Sequence, residues 1–91
     1  MMLTDEYLMA LVKGERNHEA LAELFRRHHD GVLNFLTRFS ADAIAEDLAQ
    51  ETFIAAWRFG NLYQDGSSVK NWLMKVAANR WKNHRQTLSV A

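Results

Sequence analysis

The sequence predicts an all-α domain, a compact bundle of about four helices, and three observations carry that expectation. Proline is absent and glycine occurs only at 14, 31, 60 and 66, so long helices are permitted, with breaks expected near 14, 60 and 66. Apolar residues recur at helical spacing in each stretch, and no alternating strand pattern competes. The apolar share of 48% against 24% charged is enough for a core and excludes an intrinsically disordered chain. At 91 residues, the span 1–91 reads as a single domain.

Taking the elements in order, Thr4 can N-cap a first helix whose opening turn carries Asp5 and Glu6. Leu8, Leu11 and Val12 form its stripe and Gly14 is expected to close it. Asn17 can cap a second helix. Its stripe of Leu21, Leu24, Phe25, Val32, Phe35, Leu36 and Phe39 runs about five turns, with Gly31 costing about 1 kcal/mol relative to alanine and offering a place to kink. Ser40 or Asp42 starts a third helix running to about Phe59, with Gly60 beyond. A substantial loop, Gly60 to Ser67, then leads to a fourth helix that Ser67 or Ser68 starts and that runs from Val69 to about Gln86. Residues 87 to 91 read as a fraying end.

Composition narrows the function classes. No cysteine is present, which removes disulfide frames and thiolate metal sites and suits a reducing cytoplasm. No apolar run approaches the roughly 18 residues of a membrane span, and Asp5 and Glu6 stand where a secretory leader would be basic, so neither export nor a membrane partner is expected. His28 and His29 are adjacent rather than i, i+4, no third ligand stands at metal spacing, and no phosphate loop or nucleophile motif occurs. The expectation is a non-enzyme with no metal and no cofactor.

Charge is balanced in total but segregated along the chain. Residues 1–65 hold all eleven acids and six bases, net −5, whereas residues 66–91 hold Lys70, Lys75, Arg80, Lys82 and Arg85 and no acid, net +5. Two differently charged surfaces suggest two different partners.

The third helix buries Ile44, Ala45, Leu48, Ala49, Thr52, Ala55, Ala56 and Phe59 on one arc of a wheel at about 100° per residue. Its opposite arc holds Glu46, Asp47, Gln50, Glu51 and Arg58, with Ile54 in the middle and Trp57 at the flank. Ile54 admits two readings. Single surface hydrophobes are common, but an apolar centre with an acidic rim is also the anatomy of an interface for a basic helical partner.

On the fourth helix, Val69, Trp72, Leu73, Val76 and Ala77 form the core stripe, which then stops. The far side reads Asn71, Lys75, Ala78, Asn79, Lys82, Arg85 and Gln86, basic and amide-rich without a carboxylate. Lysine can neutralise phosphate while Asn and Gln can bond to base edges, so the mixture suits DNA, although a merely soluble helix remains the alternative. In the adjoining loop, Tyr63 offers a ring for stacking, and Asn61, Gln64, Asp65 and Ser67 offer groups for the Watson–Crick edge of an unpaired base.

The run Ala45-Glu46-Asp47-Leu48-Ala49-Gln50-Glu51-Thr52-Phe53-Ile54-Ala55-Ala56-Trp57-Arg58 closely resembles the signature of bacterial RNA polymerase sigma factors of the extracytoplasmic-function group. Tyr63 to Leu73 resembles that family's loop and following helix, Lys75 to Asn83 its promoter-reading helix, and Asp5 to Leu36 its amino-terminal pattern. The resemblance spans about residues 5 to 86. It implies a sigma region 2 fold in the bacterial cytoplasm, with Asp47, Gln50, Glu51 and Ile54 docking on the clamp helices of the core polymerase beta-prime subunit. It also implies that the Tyr63 loop, with Asn79 close by, captures a base flipped from the nontemplate strand of the promoter minus-ten element. Lys70, Asn71, Lys75, Lys82 and Asn83 would then hold the strand and upstream duplex.

Tyr63 stands where phenylalanine is common in the family, and Arg80 and Trp81 are bulkier than the residues expected there. The family's second helical domain, a helix-turn-helix for the minus-thirty-five element, is absent after Ala91, so an excised domain or a naturally short relative is expected. An anti-sigma factor is the remaining implied partner. The alternative function is a protein-binding module engaged by such a regulator, without specific DNA reading.

Overall fold

A computed structural model describes residues 2–90, with side chains to residue 87. Among these residues the chain forms four α-helices, α1 (Asp5–Glu15), α2 (His18–Leu36), α3 (Asp42–Arg58) and α4 (Val69–Val90), and one 3₁₀ turn, η1 (Gly60–Leu62). α1 packs on α2, and α2 and α3 each pack on α4, around a core of Leu8, Met9, Val12, Leu24, Val32, Leu36, Leu48, Phe53, Val69 and Leu73. Each fully buried aliphatic side chain contributes about 1.5–3 kcal/mol relative to leaving it in water. Thr52 is buried among them because its hydroxyl donates to Leu48 O at 2.8 Å, which satisfies the polar group within its own helix.

The helix starts follow local chemistry. Thr4 Oγ1 accepts from Tyr7 N at 3.1 Å and Asn17 Oδ1 accepts from Ala20 N at 3.0 Å, so each cap satisfies an amide that has no intrahelical partner. Ser40 does not cap α3; its hydroxyl donates back to Leu36 O at 3.2 Å, and α3 begins after Ala41 without a side-chain cap. Asp42 lies inside the first turn, where its charge opposes the positive end of the helix dipole.

The ends depart from expectation where tertiary contacts intervene. α1 runs past Gly14, and Arg16 takes the left-handed position at φ 53° while Asn17 N bonds Leu11 O at 3.3 Å. Arg16 holds that conformation because its Nη1 donates to Trp57 O at 2.6 Å and its guanidinium lies 3.9 Å from the Trp57 ring centroid. α2 passes through Gly31 as one helix but stops at Leu36. Phe39 therefore leaves the stripe and lies exposed, edge-on to Phe35 and stacked 6.1 Å from Trp81. α4 continues through Val90, beyond the end expected near Gln86, and of the stretch expected to fray Ala91 lies outside the described residues.

Two polar clasps hold α1 against the rest. Asp5 receives Arg27 Nη1 at 3.0 Å on one oxygen and sits 2.8 Å from His28 Nε2 on the other, and Glu23 bonds both Arg26 and Arg27. Those bonds, from Arg26 first, hold the Glu23 carboxyl below its usual range, so this contribution to stability is present above the ordinary carboxylate pKa and is lost as pH falls through the lowered one. At the other end Lys13 Nζ donates to Tyr63 O and to Asp65 Oδ1, both at 2.8 Å. Here the backbone of η1 meets α1 so closely that a Cβ on Gly60 would lie 3.0 Å from Met9 Cε.

A Cβ on Gly14 would meet nothing within 4 Å, and the residue is exposed inside a helix. Gly14→Ala should stabilise the domain by up to about 1 kcal/mol and raise the melting temperature by several degrees in a thermal CD scan. A lower melting temperature would show that the glycine backbone is required there.

Candidate nucleic-acid and protein interfaces

The segment joining α3 to α4 is tied at every turn. Leu62 N bonds Phe59 O at 2.9 Å and Tyr63 N bonds Gly60 O at 3.0 Å. The Tyr63 hydroxyl donates to Ser67 O, and Ser67 Oγ donates to Gln64 O at 2.6 Å. Gly66, at φ 88°, turns the chain into α4, where Ser68 Oγ caps the helix by accepting from Asn71 N at 3.1 Å.

Tyr63 is only 3% exposed. Its ring meets Trp72 edge-on at 5.6 Å and Lys13 Nζ lies 5.5 Å from its centroid. The expectation that this ring offers an open stacking face is corrected: the aromatic is a core side chain, drawn inward by Lys13 and Trp72, and it shapes the loop from beneath. Asp65 is likewise engaged by Lys13.

The outer surface of the loop is polar and concave. Leu62, Gln64, Ser67, Asn71, Trp72 and Lys75 line a hollow of about 420 Å³. Leu62, Trp72 and Lys75 also wall a second hollow of about 520 Å³, which continues past Asn79 to Arg80 and Lys82. The expected α4 residues Lys70, Asn71, Lys75, Asn79, Lys82 and Asn83 are all exposed. Asn71 and Lys75 belong to the loop hollow, while Asn79 and Lys82 belong to the second. Asn61, Lys70 and Asn83 are exposed but line neither hollow. Among the described residues Lys70, Lys75, Arg80 and Lys82 enter no ion pair, so this side carries an uncompensated positive field.

On α3, Asp47, Gln50, Glu51 and Ile54 are exposed on one face at i, i+3, i+4 and i+7, and Ile54 is 52% exposed. Phe59, expected in the core, is 48% exposed and Leu62 69%. Phe25 was also expected in the core stripe; it instead reaches solvent and joins Leu21, Phe53, Ile54 and Trp57 in an apolar groove of about 580 Å³ between α2 and α3. Sequence periodicity gives no warning of this. Phe25 has nearly the same wheel angle as the buried Val32, and burial depends on which turns a neighbour covers. His18 stacks on Trp57 at 4.3 Å, so the groove has an aromatic end.

Because Tyr63 is structural, Tyr63→Ala should cost about 3 kcal/mol or more, comparable to truncating a buried phenylalanine, and lower the melting temperature strongly. Tyr63→Phe removes only the bond to Ser67 O and should cost about 1 kcal/mol in the same denaturation measurement. Equal stability of the alanine variant and the wild type would contradict the burial.

Comparison with known proteins bears on both faces. The Sigma-70 region 2 family model matches residues 24–89. The chain is 42% identical over 62 residues to RNA polymerase sigma factor CarQ of Myxococcus xanthus, covering 67% of this chain and 36% of that protein. It is 35% identical over 86 residues to the RNA polymerase sigma-H factor of Pseudomonas aeruginosa, covering 91% and 45%. The chain thus spans less than half the length of the curated relatives it matches. Its fold is similar to an engineered region 2 of sigmaE, solved by NMR in complex with GTAAAA, with a TM-score of 0.87 at 26% identity, covering 96% of this chain and 90% of that one. The family match takes in α3, the loop and nearly all of α4, and the chain belongs to the sigma-70 region 2 family.

Proposed function

We propose that this chain is the promoter-recognising module of a transcription initiation factor, with no catalytic role of its own. Its acidic α3 face, Asp47, Gln50 and Glu51 around Ile54, docks on the clamp helices of the core RNA polymerase beta-prime subunit. Its loop and α4 hold the nontemplate strand of the minus-ten element. The observation that carries this is the separation of the two surfaces. An uncovered isoleucine stands within carboxylates and amides on α3, and unpaired lysines alternate with amides on α4 beside a base-sized hollow. The rim charges steer a basic partner and Ile54 supplies desolvation energy.

In this reading a base flipped from the duplex enters the loop hollow, where Gln64, Ser67 and Asn71 meet its edge and Trp72 and Leu62 its face. Asn61 and the backbone of Asp65 border the loop, and Lys70, Lys75, Asn79, Lys82 and Asn83 follow the sugar-phosphate chain. Unstacking costs a few kcal/mol per step, and capture of the extruded base offsets part of it, so binding can open DNA without a nucleotide cofactor. The complex of the sigmaE relative with GTAAAA supports a strand-binding role for the isolated domain. An anti-sigma partner fits a second observation, the apolar groove of Phe25, Phe53, Ile54 and Trp57, which overlaps the polymerase-docking face.

Strands selected on the wild-type chain from a random single-stranded DNA pool should converge on a shared motif. Fluorescence anisotropy should then show about tenfold weaker binding for Asn71→Ala, and for Lys75→Ala a salt dependence shallower by about 0.7 in log–log slope. Selection without convergence would overturn specific reading and leave the protein-binding role. Separately, Ile54→Asp should weaken binding to a beta-prime clamp-helix fragment more than tenfold with an unchanged helical CD signal. Undiminished binding would remove the α3 face from the interface.

A further inference from the structure

We infer that the second hollow, walled by Phe59 and Arg80, is a nucleotide subsite of its own that stacks a further base of the same single strand. This deepens the nucleic-acid reading of α4 and rests on it. Four observations converge there. Phe59 sits at the end of α3 on the arc that helical periodicity assigns to the core, yet it is 48% exposed and faces this hollow. Arg80 borders the same hollow, enters no ion pair among the described residues, and has an Nε shielded from solvent without a hydrogen-bond partner. Lys75 and Lys82 add two more cations, Asn79 adds an amide, and no carboxylate lines the hollow. Finally, Tyr63 is buried, so the aromatic that sequence chemistry offers for stacking is unavailable, and Phe59 is an exposed ring that lines this hollow.

The chemistry of the occupant follows from that set. Three unpaired cations without an acid select an anion, and the terminal nitrogens of the Arg80 guanidinium, rather than its shielded Nε, are the donors that suit a phosphate oxygen. A flat aromatic face beside an amide suits a nucleobase, whereas an acidic peptide would use the cations and leave the ring idle. A hollow of about 520 Å³ is of the size that holds a small organic ligand. The two hollows share Leu62, Trp72 and Lys75, and Asn71 and Asn79 stand about 12 Å apart along α4 at about 1.5 Å per residue. One strand can therefore pass from the first hollow to the second within a few nucleotides, with Lys75 between them.

The test uses the 91-residue chain and single-stranded oligodeoxynucleotides carrying the selected motif, each with one abasic position, read by fluorescence anisotropy. Phe59→Ala should weaken binding of the intact strand about tenfold, and the same substitution should make no further difference on the strand whose abasic position removes the stacked base. Arg80→Gln should make the log–log salt dependence shallower by about 0.7. If Phe59→Ala lowers the helical CD signal, Phe59→Leu, which keeps apolar bulk but not a flat face, should still weaken binding through the same abasic position. Phe59 and Arg80 variants that bind every strand as the wild type does, while Asn71→Ala binds weakly, would overturn the subsite and leave the promoter reading intact. No motif-dependent binding by the wild type would overturn both.

Discussion

The shape of the loop between α3 and α4 depends on one buried side chain, Tyr63. Held by Lys13 from α1, by Trp72 from α4 and by its own bond to Ser67 O, it draws the segment after α3 inward and sets where η1 ends and α4 begins. A loop with only polar residues would have to be ordered by backbone bonds alone, each worth about 1 kcal/mol net. Burying an aromatic ring adds a larger and non-directional term, and it leaves Gln64, Ser67 and Asn71 on the outside of a shaped hollow. A hollow shaped in this way is ordered before any ligand arrives, which reduces the ordering cost of binding.

The same closure separates the charges. α1 contributes Lys13 and Arg16 inward, to Tyr63, Asp65 and Trp57, and Arg26 and Arg27 of α2 are matched by Glu23 and Asp5. These cations are consumed in holding helices together, while Lys70, Lys75, Arg80 and Lys82 on α4 have no ion-pair partner among the described residues. Internal ion pairs that are already compensated add little to the external field, so the unpaired lysines dominate the side that they occupy. A chain of zero net charge thereby presents one positive and one negative surface.

Exposed apolar residues mark where the bundle is incomplete. Ile54 and Phe25 flank the groove between α2 and α3, while Phe59 and Leu62 border the α4 hollows on the other side of α3. Isolated surface hydrophobes are ordinary, but grouped ones at the rim of concave surfaces mark sites of contact. Arg58, Glu51 and Arg80 stand between the two sides, so α3 is the element that both surfaces share.

The chain's helices were legible in the sequence because they rest on local physics. Thr4, Asn17 and Ser68 cap within three residues, and the stripes ending at Leu36 and Ala77 follow the helical period. The segregation of charge, the exposed Ile54 and the family motif were legible for the same reason, since each is a property of consecutive residues on one helix. Which aromatics face water was not. Tyr63 is buried by Lys13, fifty positions away, Arg16 replaces Gly14 as the end of α1 because Trp57 holds it, and Phe59 and Phe25 are only partly covered by the helices beside them. Sequence by itself determined the elements and the sign of each face; tertiary structure alone decided which rings became scaffold and which became surface, because burial is a property of what packs against a residue from elsewhere in the chain.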